Sequence, residues 1–400
     1  MTVTVDRRAL EAWASSRRPY LDNLKVVLIG AIIAIHALLG YASMVEAWTY
    51  TQLREVTLAT ATQVGLFVVA APFGLFLMAL LFLVAGLLTP PSLARKGTSR
   101  FVTDRLLRLG IPFVVYVLLV QPVLVYALEH PLGHSTGSFR EEYLGTEGRL
   151  DTGPLWFVGV LLLYSLGYAG WRAVRSWWTA RSPRTAVRQP PGGRRPQITA
   201  GTLALVAAVV APASFVVRLI WPYGSEAGFS DLNFWEWPAC LAVFLLGTVA
   251  ADRGWAAAVP TALVRRSRTV TLLGVVAMAV LMAVVGLRDS VEEALGGASW
   301  AAGAFAAIDA VLTVFGSVWL LGVAQHRLDR RWRHGPWLSR SAYGAFMLQT
   351  PFLLGFAVAL RPVGVPAEVK ALLVAAAAVA CSFAAAWFLI RRVPGMARVL

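Results

Sequence analysis

The chain has 400 residues, of which 58% are hydrophobic and only 14% charged, and its mean hydropathy is +0.66. Those values exclude an ordinary soluble domain and point to an integral membrane protein. The formal charge of +15 would suit nucleic acid if it covered a polar surface, but the Arg and Lys residues gather in short segments between apolar runs, so no nucleic-acid partner is expected.

In chain order, a polar segment 1–19 precedes the first apolar run, Leu21–Ser43, which is too long and too poorly ended for a cleaved leader. Nine further runs are long enough to cross a bilayer: Gln63–Leu88, Gly110–Leu128, Pro154–Val174, Ile198–Ile220, Trp235–Ala251, Val270–Leu287, Ala301–Ala324, Ala342–Leu360 and Val369–Ile390. The expected fold is therefore all-α, a polytopic bundle of about ten transmembrane helices over 20–392, with a short tail at 393–400. If the ten spans alternate, 29 of the 36 cations fall on the side of the termini. The positive-inside rule makes that side cytoplasmic, in the plasma (inner) membrane. The Pro-, Gly- and Arg-rich stretch 175–197 is expected to be a flexible cytoplasmic linker meeting anionic lipid headgroups. Cys240 and Cys381 lie in apolar runs and support neither a disulfide nor a metal framework.

His36 lies deep in the first span. An ionisable group there costs roughly 2.5 to 3.5 kcal/mol on insertion scales, so it marks a candidate site; the structural alternative is a histidine bonded to a neighbouring helix. Lys25 is eleven residues earlier, within about 20° of the same helical face and about 16 Å away along the axis. Asp22 reads as a helix cap and a partner for Lys25. Arg105 and Arg108 are three apart at the entry to the third span. Two guanidiniums there suit phosphate, either of a cytosolic donor or of lipid.

These residues carry a family resemblance. Tyr20-Leu-Asp22-Asn-Leu-Lys25, ten residues and then His36 resemble the first signature of the membrane-bound acyltransferase family 3, an Arg, ten residues and a His. Arg105 and Arg108 are similar to its Arg-x-x-Arg signature in a cytoplasmic loop. Further stretches follow in family order: Leu81 to Pro90, Gly153-Pro-Leu-Trp156-Phe157, Phe244-Leu-Leu-Gly247 with Arg253-Gly-Trp255, and Ser341-Ala-Tyr343-Gly-Ala-Phe-Met-Leu. Thr89-Pro-Pro-Ser92-Leu93 is similar to the branch that includes glucan succinyltransferases. Two positions depart from the pattern. Lys25 replaces the usual Arg, keeping the charge without the planar fork. Gln349-Thr350-Pro351 stands where many members have a His before the Pro, so a second histidine role is not expected.

The resemblance implies transfer of an acyl group, acetyl or succinyl, from cytosolic acyl-CoA to a hydroxyl of an extracytoplasmic glycan or other acceptor. Lys25, Arg105 and Arg108 would hold the acyl-CoA phosphates, and a neutral His36 would either take the acceptor proton or carry the acyl group itself. That assignment requires a cavity running from the basic rim to the imidazole. Other candidates have two readings each. Asp309 either orients His36 and binds acceptor or pairs with a cation such as Arg218. Glu46, Trp48 and Tyr50 line an acceptor entrance or anchor the interface; Trp156, Phe157 and Tyr164 stack on a substrate or simply pack. His130 and His134 flank Pro131 and Gly133, which breaks a helical ligand pair, so no metal is expected. His326 and His334 read as surface residues of a basic loop. The rival class is a secondary transporter in which His36 and Asp309 relay protons, and a third is a non-catalytic scaffold of the cell envelope.

Overall fold

The computed structural model describes residues 18–43, 54–66, 71–130, 138–139, 151–181, 197–225, 232–288 and 290–399. Glu46, Trp48, Tyr50 and His134 lie outside the described residues, as does most of the segment expected to be a flexible linker. Ten of the described helices are long and apolar enough to cross a membrane. They are α1 (Pro19–Gly40), α2 (Phe76–Lys96), α3 (Thr98–Leu128), α4 (Gly153–Thr179), α5 (Ala200–Arg218), α6 (Phe234–Ala251), α7 (Thr261–Leu287), α8 (Trp300–Arg327), α9 (Gly335–Ala359) and α10 (Ala367–Arg392). The described residues contain no strand.

Several helices outrun their apolar runs at one end. α2 continues through Pro90 and Pro91 to Lys96, α3 begins at Thr98, α7 at Thr261 and α9 at Gly335. Hydropathy marks where hydrocarbon ends, whereas a helix continues as long as its backbone stays satisfied and its Arg and Lys stems reach water. For the same reason the helix of α4 runs on to Arg181, so the start of the expected linker is helical. Arg105 and Arg108 accordingly lie inside α3, not in a loop ahead of it. Asp22 is not a cap: the helix starts at Pro19 with Arg18 in the capping position, and Asp22 sits in the first turn.

Hydrogen bonds between loops establish the alternation. On the side of the termini, Tyr20 donates to the Ala256 carbonyl (2.5 Å), Asn23 donates to the carbonyls of Leu328 and Arg330 (2.8 Å each), and Gln325 donates to the Trp255 carbonyl. On the other side, Leu58 N–H meets the Tyr41 carbonyl, Tyr223 N–H meets the Leu295 carbonyl, and Glu368 accepts from Ala59. The loops after α6 and α8 therefore meet the start of α1 at one end of the bundle, and the loop pairs after α1 and α9 and after α5 and α7 lie at the other.

The tightest packing pairs α2 with α6. A methyl group on Gly86 would fall 2.1 Å from the Phe244 carbonyl oxygen, and one on Gly247 2.3 Å from that of Leu83. Two of the stretches that carried the family resemblance thus meet as small residues that let backbones touch. Gly247→Leu is expected to abolish the monodisperse peak in fluorescence-detected size exclusion. Gly30→Ala, where an added methyl meets nothing within 4 Å, is expected to keep it.

α3 contains two widened, π-helical turns, Leu106–Gly110 and Tyr116–Val120. Each ends two residues before a proline, Pro112 and Pro122. A proline has no N–H and its ring crowds the carbonyl four residues back, which for Pro112 is that of Arg108. The widened turn relieves the crowding, and the freed Arg108 carbonyl accepts the Tyr343 hydroxyl of α9 (2.7 Å).

Candidate active site

α1 packs against α9 and α10, and this places His36 beside Gln349 at 2.8 Å, Nδ1 to Oε1. Gln349 is fully buried, and its amide nitrogen donates to the Phe346 carbonyl at 2.9 Å. Only the NH2 group can meet a carbonyl, so the amide oxygen must face the imidazole. An oxygen only accepts, so Nδ1 carries the ring proton and Nε2 keeps the lone pair in the neutral ring. Gln349, read from sequence only as a departure at a histidine position, fixes the tautomer of His36.

Its neighbours on α9 fix the helix. The Tyr116 hydroxyl lies 2.7 Å from both Gln121 Oε1 and Thr350 Oγ1. The amide oxygen takes the phenol proton and the threonine hydroxyl supplies the second bond. Gln121 passes the network to Asp151 (2.5 Å), which also caps the Gly153 N–H at the start of α4 (2.7 Å). Tyr343 and Thr350 therefore tie α9 to α3, the first nearly two turns before Gln349 and the second at its own level.

His36 lines a narrow cleft together with Ala37, Gly40 and Tyr41 of α1, Leu353 and Ala357 of α9, Val374 of α10, and Arg54. These residues lie toward the side opposite the termini. Arg54 donates to the Ala42 carbonyl (2.5 Å), and the buried Tyr41 hydroxyl meets no partner. Nearby, Lys370 is 2% exposed and forms an ion pair with Glu55.

The basic residues of the other side fall into two groups. Lys25 faces Asp22 at 3.7 Å. Arg108 meets Asp104 at 3.2 Å, and Asp104 also binds Lys96 at 2.7 Å. Arg105 lies over the Phe101 ring at 5.0 Å, with its buried Nε unpartnered. No hydrogen bond or ion pair joins Lys25 to Arg105 or Arg108 among the described residues. The row between Lys25 and His36 is also covered, because Ile29 and Ile32 are 6% and 4% exposed. The open passage expected from the basic rim to the imidazole is closed along this face of α1.

Four further candidates are packed against other side chains. Asp309 is 4% exposed and binds Arg218 at 2.5 Å, under the rings of Tyr223 and Phe305. Tyr164 donates to the Trp237 carbonyl (2.9 Å), and its ring packs on Phe82 and Phe244. Trp156 and Phe157 join the same cluster round Phe82, at 6.4 and 4.7 Å between ring centroids. None of these lines the His36 cleft. His130 stacks on Tyr126 (4.8 Å) and His334 lies against Trp337 (6.4 Å). No group of three metal-ligating side chains occurs among the described residues.

A helical bundle with ten candidate spans and a half-buried histidine of fixed tautomer has the makings of a membrane enzyme. Comparison with known families gives the class: the model of an acyltransferase domain, that of acyltransferase family 3, matches residues 18–391. The chain belongs to that family and is a multi-pass membrane acyltransferase. No curated protein and no solved structure matches it.

Proposed function

We propose that the protein transfers an acyl group, acetyl or succinyl, from acyl-CoA on the cytoplasmic side of the plasma membrane to a hydroxyl of a glycan or other acceptor on the outer side. The observation that carries this reading is the His36–Gln349 bond at the foot of a cleft directed away from the termini. Nε2 takes the proton as the acceptor hydroxyl attacks the thioester carbonyl. A C–O bond forms, the C–S bond breaks, and the proton passes to the leaving thiolate. Arg105, Arg108 and Lys25 hold the donor's phosphates. Because Ile29 and Ile32 are covered, the pantetheine arm enters only when the side chains over them move aside. The charge bias of the loops supports a cytoplasmic placement of the termini.

The proton-relay alternative loses its second member, since Asp309 is matched by Arg218. Arg105→Ala/Arg108→Ala is expected to raise the KM for acyl-CoA by about tenfold or more while leaving the KM for acceptor in place, as loss of charged phosphate contacts requires. Steady-state transfer of labelled acyl groups checks this, and an unchanged donor KM would remove the Arg pair from the donor site.

A further inference from the structure

We propose that the acceptor carries an anionic group beside its reacting hydroxyl, received by Arg54 and Tyr41 at the outer part of the His36 cleft. This deepens the reading above and rests on His36 being the reacting centre.

Among the described residues the cleft's lining is aliphatic apart from His36, Tyr41 and Arg54, and holds no carboxylate. Among those described residues Tyr41 is the one aromatic side chain besides the imidazole, so they offer little stacking surface for a neutral sugar. The acids beside it are already engaged. Glu55 pairs with Lys370, and Glu368 accepts from the Ala59 N–H (2.8 Å) and the Thr62 hydroxyl (3.1 Å). Arg54 is different. Its Nη1 bond to the Ala42 carbonyl pins the guanidinium against the cleft and leaves the rest of a planar donor fork facing it. The Tyr41 hydroxyl, 2% exposed and without a partner, is a second polar group awaiting one in an apolar wall. A carboxylate or phosphate on the acceptor would satisfy both and bring the neighbouring hydroxyl toward Nε2.

The test uses the full-length protein in lipid nanodiscs and two probes of one shape, methyl β-D-glucuronide and methyl β-D-glucoside, titrated calorimetrically. The glucuronide is expected to bind at least tenfold tighter. Arg54→Gln is expected to erase that preference, Arg54→Lys to retain part of it, and Tyr41→Phe to weaken the glucuronide selectively. Equal or reversed affinities, binding of neither probe, or a preference unchanged in Arg54→Gln would overturn the proposal. Parallel transfer of label from acetyl- and succinyl-CoA separates the two levels. Arg54-dependent glucuronide binding without any acyl transfer sinks the reaction and leaves the anion site standing. His36-dependent transfer to the glucoside, with no preference for the glucuronide, does the reverse.

Discussion

His36→Ala is expected to lower acyl transfer by about 10²- to 10⁴-fold, the range lost when a positioned general base is removed. Donor binding is expected to survive, because Lys25 lies about 16 Å away along α1 and Arg105 and Arg108 belong to α3. Gln349→Leu keeps most of the volume but removes the oxygen that holds Nδ1–H. The ring then loses its fixed tautomer, so kcat is expected to fall by about tenfold or more with little change in either KM. Gln349→Glu restores an acceptor at the same place and is expected to recover activity relative to Gln349→Leu. A merely structural role for Gln349 predicts no such recovery. The same assay distinguishes the two chemistries open to Nε2. If labelled acyl-CoA without acceptor leaves stable label on the wild-type chain and none on His36→Ala, His36 is a nucleophile. If no label is retained, it is a base.

Arg218→Met alone, or Asp309→Leu alone, is expected to destabilise the protein by about 3–5 kcal/mol, because each leaves one charge buried without its counter-ion. The two side chains are 2% and 5% exposed and share a 2.5 Å contact at the junction of α5 and α8. The double variant, Arg218→Met/Asp309→Leu, is expected to recover most of that loss, since an apolar pair of similar volume needs no matching charge. Unfolding in detergent micelles measures all three. Full stability of Asp309→Leu together with a loss of acceptor turnover would restore Asp309 to the active site and void the structural reading.

The fold was largely legible because a bilayer imposes a strict rule: each spanning segment needs about 20 apolar residues and a helical backbone. What hydropathy could not mark were the basic helix ends, such as Arg265 to Arg268 in α7, where the helix outlives the hydrocarbon. The site was legible in part. His36 stood out as a titratable group at membrane depth, but Gln349 did not, since a glutamine in an apolar helix gives no hint of which residue it orients. Trp156 and Tyr164 were ambiguous because an aromatic ring has the same sequence appearance in a core and on a substrate. One signal was present and unused. Cations are sparse on the side opposite the termini, and three of those described there are held in place: Arg54 lines the cleft, while Arg218 and Lys370 are buried in ion pairs. A cation where topology disfavours it is held by local structure.

In the proposed reaction one half-buried imidazole, that of His36, joins a donor arriving from the side of the termini to an acceptor waiting on the other. The most direct measurement uses sealed proteoliposomes with labelled acyl-CoA outside only and a mixture of methyl β-D-glucuronide and methyl β-D-glucoside trapped inside. Label is predicted to appear on trapped acceptor in vesicles whose protein has its termini outward, and to be absent with His36→Ala. Label that forms only when donor and acceptor share a compartment, or that forms equally without the imidazole, would contradict it.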